Sequence, residues 1–137
     1  MNLFINTVDS NYGSFAIFQS RGVVLYLCEF IDKQERLNKK LTAFLKSKKI
    51  KPQEFKAVMV VTGPGSFSAS RAGVVLANAF NFLYGIPVLG IKDSGTSPNG
   101  ASIEEMIRDN LGRLKRSKKT TVAEVYYENP PNITIKK

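Results

Sequence analysis

Apolar and polar positions alternate weakly over Asn2–Asp9, which reads as a buried strand. Ser10-Asn11-Tyr12-Gly13 is a turn signal, and Ser14–Gln19 reads as a second strand with Phe15 and Ile17 set against Ala16 and Phe18. Arg21-Gly22 marks a tight turn before Val23–Phe30, a stretch rich in β-branched and aromatic residues. Three strands joined by short turns make an antiparallel meander. The period then changes. Over residues 33–48 the apolar positions Leu37, Leu41, Phe44 and Leu45 fall on one helical face with lysines opposite, and Pro52 follows as a stop.

Ala57–Val61 is an unbroken apolar run, as expected of a central strand covered on both faces. It leads into Thr62-Gly63-Pro64-Gly65-Ser66-Phe67, and a helix is predicted from about Ala69 to Tyr84 with Gly85 as its C-terminal stop. Ile86–Ile91 reads as a further short strand. Helical crossovers make the later strands parallel. The expected fold class is α/β, a mixed β-β-β-α-β-α-β sheet with flanking helices. Lys92–Ser102 has the composition of a linker, and Ser102 with Glu105 is spaced as a capping box. Ile103, Met106, Ile107, Leu111 and Leu114 then line one face of a third helix, Thr121–Tyr127 offers a last strand, and Glu128–Lys137 is an extended tail. The division expected is a lobe over 1–93 and a linker, helix and tail over 94–137.

Charge changes this picture. The 137 residues carry 20 Lys+Arg against 11 Asp+Glu, a net charge of +9. The excess is concentrated in residues 33–56 and in residues 108–119. Such blocks suit nucleic acid phosphates or an acidic protein face, or simply a solvated surface. The candidate RNA contacts are Lys39, Lys40, Lys46, Lys48, Lys49, Lys115 and Arg116. There is no histidine and one cysteine, Cys28, which excludes Ser-His and Cys-His nucleophile pairs, an internal disulfide and a Cys-based zinc site. The first residues lack the pattern of a signal peptide, so the expected location is cytoplasmic.

The glycine loop at 62–67 has the strand–loop–helix setting of an anion site. It is not a Walker A loop, since no Gly-Lys-Ser/Thr follows, and Ser68 occupies the third glycine position of a dinucleotide fingerprint. A structural turn capped by Ser66 or Ser68 is the favoured reading, with no cofactor and no metal expected. The helix beyond it is apolar around nearly its whole circumference: Ala72, Val74, Val75, Leu76, Ala77, Ala79, Phe80, Phe82 and Leu83. A helix resting only on its own sheet needs one apolar stripe. The surplus must be covered, either by another subunit or by the helix beginning near residue 102.

Gly63-Pro64-Gly65-Ser66-Phe67 with Arg71-Ala72-Gly73, the apolar helix, Gly85-Ile86-Pro87-Val88 and the opening Leu3-Phe4-Ile5-Asn6-Thr7 together resemble the TsaB (YeaZ) family over roughly residues 2–91. The resemblance implies a ribonuclease H-like (actin-like ATPase) N-lobe. It implies a non-catalytic subunit in the formation of threonylcarbamoyladenosine at position 37 of tRNAs reading codons that begin with A. The implied partners are a TsaD-like catalytic subunit, bound through N-lobe helices, and a TsaE-like ATPase that joins the pair. Contact with tRNA is expected to be indirect, and with no run of 18 apolar residues no membrane is expected. Three departures accompany it. Asn6 stands where the family usually has Asp, Ser68-Ala69-Ser70 replaces the usual Thr-Gly-x, and the second lobe is shortened to residues 92–137.

These observations frame three expectations. As a scaffold, the chain would present Leu37, Leu41, Phe44, Ala72, Val75, Leu76, Ala79, Phe80 and Leu83 to a partner, or to a second copy as a homodimer, with Gly63, Pro64, Gly65, Ser66, Phe67 and Arg71 as the motif loop. The alternative is a basic tRNA- or RNA-binding accessory protein. Residual enzyme activity would have to draw on Asn6, Thr7, Asp9, Ser66 and Asp93, which assemble no nucleophile–base pair, so no catalytic residue is assigned.

Overall fold

The computed structural model describes residues 1–9, 12–31, 36–63, 67–92, 100–118 and 122–123. Strands β1 (Asn2–Asp9), β2 (Tyr12–Phe18) and β3 (Val24–Phe30) form the meander. Helix α1 (Leu37–Ser47), strand β4 (Val58–Gly63), helix α2 (Phe67–Tyr84), strand β5 (Val88–Lys92) and helix α3 (Gly100–Lys115) follow. The sheet order is β3-β2-β1-β4-β5. β1 pairs antiparallel with β2 (Leu3 opposite Ile17) and parallel with β4 (Leu3 beside Val58), and β4 runs parallel to β5 (Val58 beside Val88).

Because strand side chains alternate, the central strands supply two hydrophobic layers at once. Leu3, Ile5, Phe15, Ile17, Val58, Val60 and Val88 face α1 and α2, joined there by Leu37, Leu41, Phe44, Leu45, Val74, Ala77 and Phe80. Phe4, Ala16, Phe18, Met59, Val61, Leu89 and Ile91 face the other way, against Ile103, Met106, Ile107 and Leu114 of α3. This is the mixed α/β sheet expected from the periodicity. The apolar stripe of α3, beyond residue 93, closes the second face of this sheet.

Boundaries differ in detail. α1 is shorter than 33–48: Arg36 (φ −117°, ψ 33°) precedes it as a non-helical cap, and residues 32–35 lie outside the described residues. α2 opens at Phe67, so Ser68 sits inside its first turn rather than at the cap, while Ser66 lies outside the described residues. α3 opens at Gly100, which places Ser102 within the helix and not at its N-cap. Gly85 ends α2 with φ +69°, and its N–H donates to the Asn81 carbonyl at 2.9 Å, the left-handed stop that glycine accepts without strain. Of Thr121–Tyr127, only Val122 and Ala123 are described, and neither is in a strand.

Candidate functional site

α2 is positioned by a close approach to the central strand. A Cβ added at Gly73 would lie 2.2 Å from Thr7 Oγ1 on β1, so only glycine lets the helix lie this low. Gly63, at the end of β4, has φ +133°, which a side chain would resist. Two glycines of the loop-and-helix motif therefore have structural roles. Of the remaining motif residues, Pro64, Gly65 and Ser66 lie outside the described residues, Phe67 opens α2, and Arg71 is exposed.

With Gly73, Val74, Ala77 and Phe80 turned to the sheet, the opposite face of α2 carries Val75 (62% exposed), Phe82 (87%) and Leu83 (62%), flanked by half-exposed Tyr84. α3 does not cover this face, because it lies on the other side of the sheet. Between α1 and α2 runs a groove of about 310 Å³, floored by Leu41, Leu45, Leu76, Ala79 and Phe80 and edged by Lys46 and Lys51.

The nine residues expected at a partner interface are thus divided. Leu37 and Phe44 are buried in the chain's own core, and Leu41 and Phe80, buried there as well, meet the surface only at the floor of the groove. The amphipathic stripe of α1 faces the sheet, and the helix offers its polar side outward. Ala72, Leu76 and Ala79 are half-buried on the flank of α2, and Val75 and Leu83 are exposed. Phe82 was missing from that set. Its spacing of seven from Val75 places both on one helical face, a signal present in the sequence.

The basic residues are likewise divided. Lys39, Lys46 and Lys49 are exposed on or just after α1. Lys40 Nζ stands 5.6 Å from the centre of the Phe30 ring and Lys48 Nζ 4.7 Å from that of Tyr26, so both cover aromatic rings of β3, the edge strand. Lys115 and Arg116 are exposed on and just after α3, which packs on the opposite face of the sheet from α1. The seven do not form one patch on one face.

Of the polar groups that a residual activity would draw on, the described pair Asn6 and Thr7 does not converge. Asn6 and Thr7 follow each other along β1 and point to opposite faces of the sheet. Thr7 is buried against α2, and Ser66 and Asp93 lie outside the described residues. Among the described residues no group of three or more His, Cys, Asp or Glu side chains could hold a metal ion. Burial pushes the Cys28 thiol above its ordinary value, with Lys40 pulling it back, so it is not an activated nucleophile. No helix among the described residues is long and apolar enough to cross a membrane.

A family model described as TsaD, tRNA N6-adenosine threonylcarbamoyltransferase, matches residues 31–106, more than half of the chain. The chain belongs to this family. The solved structure of YeaZ from Pseudomonas aeruginosa is similar to it with a TM-score of 0.59 at 21% identity, over 67% of this chain and 43% of that one. A second solved structure from the same organism, described as an uncharacterised protein with similarity to peptidase YEAZ, gives the same values. No curated protein matches the sequence. The fold is therefore the YeaZ-like, ribonuclease H-like lobe that the motif implied, and the chain spans 43% of the length of the YeaZ structure.

Proposed function

We propose that this TsaB/YeaZ-like chain is a non-catalytic scaffold in the formation of N6-threonylcarbamoyladenosine in tRNA. In this reading it binds and stabilises a TsaD-like catalytic subunit in the cytoplasm, and a TsaE-like ATPase joins through the complex. The observation that carries the proposal is the outer face of α2, where Val75, Phe82 and Leu83 stand in solvent beside an apolar groove. Large apolar side chains clustered on one exposed helix face favour association over hydration. Two features support the non-catalytic part: the chain has no histidine to act as a neutral-pH base, and Asn6 replaces the family's usual carboxylate.

Co-expression with a TsaD-like subunit, followed by size-exclusion chromatography with light scattering, tests this. The wild-type chain should co-elute with that subunit at one-to-one stoichiometry, and Leu83→Glu should abolish co-elution while the free chain stays folded. An unpaired charge in an apolar interface costs about 3 kcal/mol or more, over a hundredfold in Kd. Self-association without heteromeric binding, or undiminished binding by the folded variant, would overturn the proposal.

A further inference from the structure

A second concavity lies at the opposite side of the sheet from the docking groove, where the N-terminal ends of β1, β4 and β5 meet the last turn of α3. It encloses about 220 Å³ and is lined by Asn2, Ser20, Lys56, Lys115 and Ser117 over a floor that includes Leu114. Its position follows from packing. The β2–β3 turn abuts α3 so closely that a Cβ on Gly22 would come 2.9 Å from Leu111 Cδ1, while Lys56 is fixed by its backbone N–H donating to the Met1 carbonyl at 3.0 Å. Two lysines from distant parts of the chain thereby border one cleft with two hydroxyls. Among the described residues no carboxylate pairs with Lys56 or Lys115.

We infer that this cleft seats a backbone phosphate of RNA between the ammonium groups of Lys56 and Lys115, with Ser20 supplying a hydroxyl donor, while the Ser117 hydroxyl donates to the Arg113 carbonyl at 3.3 Å. The C-terminal end of α3 contributes about half a negative charge here, which opposes an anion. Two full positive charges outweigh it. A polymer is favoured over a free phosphate because Arg21, next to Ser20, and Arg116, next to Lys115, extend the positive rim beyond the reach of a single phosphate. Asp109, on the exposed side of α3, is the nearest acidic residue in sequence to the α3 end of the cleft. The inference adds a direct RNA contact to the tRNA reading and does not depend on the α2 docking face.

Fluorescence polarisation with labelled tRNA and the chain alone, over a series of salt concentrations, tests it. The double variant Lys56→Ala/Lys115→Ala should weaken binding about tenfold and lower the log–log salt slope by about 2. Lys39→Ala/Lys46→Ala removes the same charge from α1 and should change affinity less than about twofold. Equal losses in both variants would mean diffuse charge, and no loss in the first would mean an idle cleft; either overturns the assignment. Displacement of tRNA by inorganic phosphate well beyond chloride at matched ionic strength would assign the cleft to a free anion and overturn it as well. Because no TsaD-like subunit is present, failure of the docking proposal leaves this result readable.

Discussion

The carboxamide of Asn78 on α2 makes two hydrogen bonds with the backbone of Ala123, donating from Nδ2 to its carbonyl at 2.9 Å and accepting its N–H on Oδ1 at 3.0 Å. Ala123 is buried beside Gly90 of β5, where an added Cβ would come 3.2 Å from the Ala123 Cβ. A position far along the chain from α2 is thereby fixed to the same hydrophobic layer as that helix.

Asn78→Ala removes both bonds. At about 0.5–1.5 kcal/mol net for each, the loss should be about 1–3 kcal/mol in urea unfolding. Amide hydrogen exchange gives the sharper reading: Ala123 should lose protection while the β1 and β4 amides keep theirs.

Gly73→Ala tests the close approach of α2 to β1. Alanine gains about 1 kcal/mol of helix propensity, but the Cβ would overlap Thr7 Oγ1, and β-branched Thr7 has little rotamer freedom to yield. Overpacking of this kind costs about 1–3 kcal/mol, so net destabilisation is expected. In the double variant Thr7→Ala/Gly73→Ala the nearest remaining contact is the residue 7 Cβ at 3.4 Å, and much of the loss should return. Chemical denaturation of the two variants and the wild type decides it.

The division of the α1 and α2 residues between core and surface has its own check. Leu41→Ala should cost about 2–5 kcal/mol, since Leu41 is 3% exposed within the α1–α2 layer. Leu83→Glu should leave the free chain within about 0.5 kcal/mol of wild type, as exposed positions do. Thermal unfolding of the isolated variants separates the two, and reversed sensitivities would show the helix faces to be misassigned.

Tyr12 should leave a mark at alkaline pH. Burial, the hydrogen bond to Glu29 and repulsion from that carboxylate push its phenol up from 10.0 to about 12. The folded state holds the proton more tightly than the unfolded chain, so this contribution to stability is complete below pH 10 and is lost as pH rises towards 12. Spectrophotometric titration should find one phenol ionising late. Glu29→Gln should bring it down only part of the way, because burial remains.

Element order was legible in the sequence because each strand and helix carries its own period. The meander, both crossover helices and the alternating faces of β1 and β2 needed no tertiary information. The side of the sheet chosen by α3 was not legible: its stripe of Ile103, Met106, Ile107 and Leu114 fits either face, and packing alone decided. The same limit applied to α1, whose Leu37, Leu41 and Phe44 could face a sheet or a partner by spacing alone. Gly73 was visible as part of a motif, but its reason, the Thr7 hydroxyl beneath it, appears only in three dimensions. Lys56 and Lys115 are 59 positions apart, and no linear pattern joins them.

The edge strand β3 exposes Leu25, Tyr26 and Leu27, and among the described residues one side of its backbone faces no neighbouring strand, the arrangement on which sheets of separate molecules join. Above it stand the ammonium groups of Lys40 and Lys48, held over Phe30 and Tyr26. Edge-to-edge stacking of two copies would draw both pairs of cations together and strip their water. Charges placed beside an exposed apolar strand oppose such pairing, and Lys40 and Lys48 stand in that position.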